Sequence, residues 1–210
     1  MWGHIVYETL QLAGILAFAI SGALIGVHKR LDLLGVIVVG SATGVGGGII
    51  RDIMIGVHPP VSLVYWPNIA TAAAGSLLVF FFHPRISRLR HFEVVFDAFG
   101  LGLFCANTAA AAIGNGFSLL TAVIVGTVTA IGGGVVRDVM VNEVPGVLTR
   151  ELYAVSAISG ALLAGGLMML SNSLLLASTA GCVWAIALRL TSYARGWQLP
   201  VPKFGSTSLK

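Results

Sequence analysis

Two short runs of the sequence place an arginine next to an aspartate inside long apolar stretches. Gly46-Gly47-Gly48 precedes Arg51-Asp52, and Gly132-Gly133-Gly134 precedes Arg137-Asp138. Charges inside an apolar segment are costly, so they normally pair with one another or face a water-filled cavity. The two runs therefore predict either a path for an ion or small solute, or a structural lock far from any solute.

The glycines themselves have two interpretations. Each costs on the order of 1 kcal/mol relative to alanine in a helix, so they do not serve helix stability. If the helix unwinds at the run, the freed carbonyls line a cavity and can replace the hydration shell of a cation. The alternative is close packing, because Gly40-xxx-Gly44-xxx-Gly48 and Gly126-xxx-Ala130-xxx-Gly134 form small-residue ridges.

Polar side chains also recur at helical spacing in two other apolar stretches. Gln11 and Ser21 share one face of the first stretch, and Asp97 and Asn107 share the corresponding face of the fourth. In lipid such groups must face protein or water. They therefore either line a hydrophilic path or form hydrogen bonds between neighbouring helices. The candidate path residues are Gln11, Ser21, Thr43, Gly46, Gly47, Gly48, Arg51, Asp52, Asp97, Asn107, Thr129, Gly132, Gly133, Gly134, Arg137 and Asp138.

These residues must be positioned by helices that cross a membrane. Of the 210 residues, 57% are hydrophobic and 10% are charged, against about 25% charged in ordinary soluble domains. Turn residues at 114–116 and 171–173 divide the two longest apolar stretches. The sequence predicts seven transmembrane helices at about 5–27, 33–55, 63–82, 93–113, 117–140, 152–170 and 174–192.

The first six of these spans form an internal repeat. A shift of 86 residues lays residues 43–54 on residues 129–140 without a gap, and it also lays Pro59 on Pro145. Because each copy has three spans, the second must enter the membrane from the opposite face, as in inverted-repeat transporters. The predicted units are 1–86, the inverted copy 87–172, a seventh helix in 173–193 and a tail at 194–210. Across the pseudo-twofold axis, we expect Arg51 to face Asp138 and Arg137 to face Asp52.

The positive charges indicate the orientation of the chain. With seven spans, ten of the twelve lysines and arginines follow the odd-numbered spans or close the last one. By the positive-inside rule the N-terminus is external and the C-terminus is cytoplasmic. The net charge of +4 is explained by this placement, so nucleic acid is not expected as a partner. The residues counted are Lys29, Arg30, Arg85, Arg88, Arg90, Arg150, Arg189, Arg195, Lys203 and Lys210.

The paired Gly-Gly-Gly-x-x-Arg-Asp elements resemble those of the prokaryotic branch of the TRIC family, the trimeric intracellular cation channels. The resemblance covers about residues 5–192. It implies a homotrimer in the prokaryotic cell membrane, with a pore in each subunit for K⁺ and Na⁺, lined by second and fifth helices kinked at their glycines. Animal members carry Lys-Glu-Val where this chain reads Arg51-Asp52-Ile53, so their lipid and calcium regulation is not carried over.

Two functions remain open at this point. The first is a passive cation channel, and the second is a secondary carrier for a small zwitterion such as glycine, since a similar bacterial group carries the same motif. An enzyme is not expected, because no paired catalytic constellation occurs among the few polar residues. Cys105 and Cys182 and the five histidines lack metal-ligand spacing, so we expect no cofactor. The expected partners are membrane lipid and the permeant K⁺ or Na⁺.

Overall fold

The computed structural model describes residues 2–86, 91–149 and 152–200, and within these ranges the chain forms nine α-helices and no strand. Six helices are long and apolar enough to cross a bilayer, and α4 contains a shorter apolar stretch, Trp66–Phe82. The protein is therefore an all-helical membrane protein. The helices are α1 Trp2–His28, α2 Leu33–Met54, α3 Val61–Val64, α4 Trp66–Ile86, α5 Phe92–Gly114, α6 Leu119–Met140, α7 Gly146–Thr149, α8 Tyr153–Ser171 and α9 Leu174–Arg195.

The starts of the long helices follow from local capping chemistry. Asp32 accepts a hydrogen bond from the Gly35 backbone N–H at 2.7 Å and caps α2. Ser118, which is 86 positions later, accepts one from the Thr121 N–H at 3.2 Å and caps α6. Such side chains satisfy amides that have no partner inside the helix. The capping residues therefore repeat with the same offset as the sequence motifs.

The prediction of a third span at 63–82 was wrong at its beginning. The chain first makes the separate short helix α3, passes through Tyr65 in an extended conformation, and starts α4 at Trp66. The physical reason lies in α2, where the Asp52 carboxylate accepts a hydrogen bond from the Val61 N–H at 2.8 Å and fixes the first turn of α3. The second half has the matching short helix α7 between its Arg-Asp helix and α8.

Helices α1 and α5 pack against each other in opposite directions. The ring of Phe104 lies over Gly14, the ring of Phe18 lies over Gly100, and the two ring centres are 5.3 Å apart in an edge-to-face arrangement. Gly14 meets Phe104, whereas Phe18, which is later in α1, meets Gly100, which is earlier in α5. The two helices are therefore antiparallel. A side chain at either glycine would collide with the opposing ring, so the glycines permit this close approach.

The small residues of the sixth predicted span belong to an internal contact. Gly160 of α8 faces Gly181 of α9, where an added Cβ would lie 3.0 Å from the Gly181 carbonyl oxygen. Ala157, Ala161 and Ala164 are fully buried in the same core. This stripe of small residues therefore packs inside the subunit.

The bundle has two chemically different ends. At the basic end, Lys29 forms an ion pair with Glu143 at 2.7 Å, and the His91 ring nitrogen lies 2.9 Å from the Tyr193 hydroxyl. The opposite end, called the open end below, carries His4, Asn115 and Asn172. Loops predicted to share a membrane face thus meet at one end. Five of the counted basic residues, namely Arg88, Arg90, Arg150, Lys203 and Lys210, lie outside the described residues.

Candidate ion pathway

The two Arg-Asp pairs lie near the C-terminal ends of α2 and α6, and each arginine pairs with its own neighbour. Arg51 Nε donates to Asp52 Oδ1 at 2.8 Å, and Arg137 Nε donates to Asp138 Oδ1 at 2.8 Å. The expected crossed pairing of Arg51 with Asp138 and of Arg137 with Asp52 was therefore wrong. Neighbours on a helix point about 100° apart, but an arginine side chain is long enough to fold back across that angle, and its planar fork matches a carboxylate.

The second oxygen of each aspartate is used by the short helix that follows. Asp52 Oδ2 accepts from the Val61 N–H at 2.8 Å, and Asp138 Oδ2 accepts from the Gly146 N–H at 2.7 Å. A carboxylate at a helix N-terminus is stabilised by the unpaired amides and the helix dipole. Each aspartate thus pairs with an arginine through Oδ1 and accepts a hydrogen bond from the first residue of a short helix through Oδ2.

The first cluster, built around Arg51, has mostly uncharged neighbours from α1. Arg51 Nη1 donates to the Tyr7 hydroxyl at 2.8 Å and to Gln11 Oε1 at 3.2 Å. Arg51 is 7% exposed and Asp52 1% exposed. One arginine and one aspartate therefore balance each other, and a phenol and an amide accept hydrogen bonds from Nη1 of the guanidinium.

The second cluster, built around Arg137, contains two carboxylates. Arg137 Nη1 donates to Asp97 Oδ1 at 2.8 Å and to Ser21 Oγ at 2.9 Å, in addition to its contact with Asp138. Arg137 is 2% exposed. A buried guanidinium held by two carboxylates is tightly constrained, because breaking a buried ion pair leaves an uncompensated charge.

Two residues of the second cluster were missed by the sequence reasoning. The Arg189 guanidinium carbon lies 4.9 Å from the centre of the Tyr153 ring, and the Tyr153 hydroxyl lies against Gly134. Arg189 is 1% exposed, so its side chain lies inside the bundle near the end of α9, where the sequence analysis had counted it only as a charge that closes the last span. The missed signal was spacing, because Ala177, Gly181 and Ala185 form a stripe every four residues that continues into Arg189.

The remaining polar candidates are buried and hydrogen-bonded to backbone. The Thr43 hydroxyl donates to the Val39 carbonyl and the Thr129 hydroxyl to the Val125 carbonyl, both at 2.6 Å. Two further bonds join α1 and α5, from Ser21 Oγ to the Glu93 carbonyl at 3.3 Å and from Asn107 Nδ2 to the Tyr7 carbonyl at 3.1 Å. Tyr7 and Glu93 are 86 positions apart, so the repeat is visible in the hydrogen bonds.

The triple glycines do not interrupt their helices. Both α2 and α6 are helical throughout, so the unwinding that the sequence left open at 46–48 and 132–134 does not occur in this structure. Instead Gly47 lies against the Thr129 carbonyl oxygen, and Gly133 lies against the Thr43 carbonyl oxygen. The packing interpretation therefore holds for the middle glycine of each run, because a Cβ there would overlap the partner backbone.

The outer glycines have different neighbours from the middle ones. A Cβ on Gly46 would lie 3.5 Å from the Val136 side chain, which is an ordinary contact, and one on Gly48 would lie 2.8 Å from Ser62 Oγ. Gly132 faces Ile50 and Gly134 faces Tyr153. Gly46 lies against Val136, and the later residue Ile50 lies against the earlier residue Gly132. Helices α2 and α6 are therefore antiparallel where they cross.

A cavity of about 850 Å³ leads from the open end to the first cluster. Tyr7, Arg51 and Asp52 lie on its wall together with apolar side chains such as Val61 and Leu174. The second cluster differs, since the crevice beside Arg137, Asp138, Val147 and Tyr153 has no volume for a water molecule. Within the described residues, no three His, Cys, Asp or Glu side chains are grouped to hold a metal ion.

The sequence matches a known membrane protein family over most of its length. A family model described as Glycine transporter matches residues 8–84 and again residues 94–169. A UPF0126 membrane protein of Deinococcus radiodurans is 42% identical over 196 residues, which are 91% of this chain and 90% of that protein. The inner membrane protein YadS of Escherichia coli K12 is 36% identical over 198 residues, covering 93% of this chain and 94% of that protein.

The fold matches solved structures of TRIC channels. One, from a study of conductance through TRIC cation channels, is 38% identical with a TM-score of 0.86, covering 95% of this chain and 98% of that chain. The TRIC trimeric intracellular cation channel orthologue from Rhodobacter sphaeroides is 32% identical with a TM-score of 0.85, covering 91% and 98%. Because family model, relatives and fold agree over most of its length, the chain belongs to the prokaryotic TRIC family, which the Glycine transporter model and the UPF0126 membrane proteins also represent.

Proposed function

We propose that this chain is a channel for monovalent cations, K⁺ and Na⁺, with one hydrophilic path in each subunit of a homotrimer and no catalytic activity. The observation that carries the proposal is the likeness to a TRIC cation channel at 38% identity and a TM-score of 0.86 over 95% of the chain. The trimer is supported by the likeness to the orthologue described as a trimeric cation channel. K⁺ and Na⁺ are the ions that the family resemblance implies.

The proposed path joins the two Arg-Asp clusters. It begins in the cavity at Arg51 and Asp52 and continues between α2 and α6 past their glycines and threonines. Ser21, Asn107, Asp97 and Gln11 line it from α1 and α5. In the present conformation Gly47 and Gly133 are packed against backbone, so conduction requires α2 and α6 to separate there.

Electrostatics along this path are compatible with a cation. An arginine near the path raises the barrier for a positive ion unless a carboxylate offsets it. In the part of the chain that the structure describes, three buried arginines, at 51, 137 and 189, are matched by three buried aspartates, at 52, 97 and 138. The clusters taken together carry no net positive charge that would exclude cations.

The topology supports an inverted repeat of three plus three spans followed by a seventh, with α4 as the third span. Helices α1 and α5 are antiparallel, and so are α2 and α6, although each pair holds equivalent positions of the repeat. Together with the positive-inside rule, this antiparallel packing supports a topology in which the basic end faces the cytoplasm and the N-terminus faces the exterior of a prokaryotic cell membrane. The inner membrane location named for the Escherichia coli relative is consistent with that placement.

Single-channel recording is the direct test. Purified protein in a planar bilayer should show unitary current steps, and reversal potentials under bi-ionic K⁺/Na⁺ and K⁺/Cl⁻ gradients should report cation over anion selectivity. Protein in which Asn115 at the cavity mouth is replaced by Trp should show smaller steps, because the bulky ring narrows the entrance. Smooth flux without steps in the unmodified protein would contradict the channel.

A carrier for a small zwitterion such as glycine is the second candidate. Two observations favour it: the family model that matches both halves is described as Glycine transporter, and the cavity is open at one end while the other cluster is sealed. A carrier exposes its site to one side at a time. Saturable, ion-coupled glycine uptake into proteoliposomes, without current steps, would replace the channel by this function.

A further inference from the structure

Because of the internal repeat, each residue of the repeat that lines the open cavity has an equivalent residue 86 positions away, and several of these equivalents lie at the basic end. Val57 and Asn115 both line the cavity that leads to Arg51 and Asp52. Val57 belongs to the loop after α2, and Asn115 follows α5, so they come from different halves of the repeat. Neither side chain carries a charge that could hold the two halves together at this mouth.

The positions 86 residues away from these two are Glu143 and Lys29. Their side chains form an ion pair at 2.7 Å between Lys29 Nζ and Glu143 Oε1. The pair joins the loop after α1 to the loop after α6, again across the two halves. Where the open end has a cavity mouth, the basic end therefore has an electrostatic bridge.

Behind this bridge lies the sealed second cluster. Val147 is the equivalent of Val61, which lines the open cavity, yet Val147 lines the crevice that has no room for water beside Arg137 and Asp138. The two ends thus have equivalent residues in an open and a closed arrangement within one structure. The difference at the mouth is a valine and an asparagine on one side and a charged pair on the other.

We propose that the Lys29–Glu143 ion pair is a latch that keeps the basic end closed over the Arg137–Asp138 cluster, and that its release opens a cavity equivalent to the one at Arg51–Asp52. The consequence for cation passage rests on the proposed function, whereas the opening itself does not. Both side chains are partly exposed, at 40% and 38%, so the pair is weak and sensitive to salt. A weak contact suits a part that must open and reclose.

The test is the accessibility of a thiol at Val147, which is partly buried beside the sealed crevice. In protein whose Cys105 and Cys182 are replaced by alanine, Val147→Cys is exposed to a water-soluble methanethiosulfonate reagent, and the rate of modification is measured. Replacing Glu143 by Gln or Lys29 by Gln should raise this rate about threefold, since a partly exposed ion pair shifts an equilibrium only modestly. The charge swap K29E/E143K should restore the slow rate. Raising the salt concentration should speed modification when the native pair is present and have little effect in E143Q.

The matched control is Val61→Cys at the open end. It lies in a cavity that is already open, so we expect fast modification that none of the latch variants changes. Equal rates at Val147→Cys in all variants would overturn the latch, and so would a charge swap that reacts as fast as E143Q. If the double variant K29E/E143K does not give a single peak on gel filtration, the comparison uses the single variants K29Q and E143Q, each of which keeps one native partner.

Cation flux separates this inference from the proposed function. If the unmodified protein and all variants pass no cation while Val147→Cys becomes accessible in E143Q, the latch stands and the channel proposal fails. If cations pass but neither their flux nor the thiol rate responds to Lys29 or Glu143, the channel stands and the latch fails. If both hold, E143Q should raise the open fraction of the channel by about the same factor as the thiol rate.

Discussion

At the residue scale, the two Arg-Asp pairs carry most of the buried charge of the described chain, and each is paired within its own helix. The difference between them lies in α1 and α5, where Gln11 contacts Arg51 and the equivalent Asp97 contacts Arg137. The first cluster borders a cavity and the second is sealed. Equivalent motifs have therefore become chemically distinct, in part because an amide in the first copy stands where the second copy has a carboxylate.

A double-mutant cycle tests the pairing. The coupling energy between R51Q and D52N should be about 2 kcal/mol, whereas R51Q and D138N should be additive within about 0.5 kcal/mol, because the contact lies within one pair. The free energy of unfolding is measured in mixed micelles titrated with a denaturing detergent. A larger coupling for Arg51 with Asp138 than with Asp52 would restore the crossed arrangement.

Replacing Asp97 by Gln tests the role of the second carboxylate. Arg137 keeps Asp138, and the first copy already uses Gln11 at the equivalent position, so the loss of stability should be about 1–2 kcal/mol. Asp138→Ala should cost about 4 kcal/mol, because it removes both the ion pair and the acceptor for the Gly146 N–H. Unfolding in mixed micelles measures both losses of stability. The control is Val139→Ala, a change at the exposed residue next to Asp138. Equal losses for D97Q and D138A would contradict this ranking.

At the element scale, α2 and α6 cross at the middle glycine of each run, and this contact determines how close the two halves approach. The positions of the long helices were predictable, since apolar length, turn residues and caps are local features. Two element-scale features could not be predicted from the sequence, and the reason is the same for both. Whether a glycine run unwinds or packs, and whether residues 61–64 join α4 or form their own helix, depends on contacts with distant segments.

Alanine at Gly47 should separate α2 from α6, because the new Cβ would overlap the Thr129 carbonyl oxygen. We expect a loss of about 2 kcal/mol in the free energy of unfolding. Gly46→Ala is the matched control, since its Cβ meets only the Val136 side chain at 3.5 Å and gains up to about 1 kcal/mol in helix propensity. Thermal unfolding in detergent compares the two. A G47A protein as stable as G46A would show that the backbones are not in contact there.

At the scale of the whole molecule, the two ends differ in charge and in access to water. The basic end carries Lys29, Glu143 and His91, and the open end carries a cavity that reaches Arg51 near the end of α2. In the proposed inverted repeat, equivalent surfaces lie on opposite membrane faces, so any difference between the two ends is a departure from that symmetry. In the proposed topology, the two membrane faces therefore differ in charge and in access to water.

Cysteine labelling tests the orientation of the whole chain. In the background lacking Cys105 and Cys182, a thiol at Asn172 on the open end should react with a membrane-impermeant maleimide added to intact cells. A thiol at Trp197, beyond the end of α9, should react only after permeabilisation. The physical reason is retention of lysine- and arginine-rich loops on the cytoplasmic side. The reverse pattern would invert the proposed topology and leave the fold untouched.

The sequence by itself determined which segments are helices in a membrane, that the chain is duplicated with an offset of 86, and that four buried charges lie near the ends of two equivalent helices. These conclusions depend on composition, periodicity and repetition, which are properties of neighbouring residues. Only the tertiary structure decided which side chains meet: Arg51 with Asp52, Arg137 with Asp97, and Arg189 with Tyr153. It also decided that the glycines pack and that one end is open, because helix crossing and cavity volume depend on contacts between residues far apart in the chain.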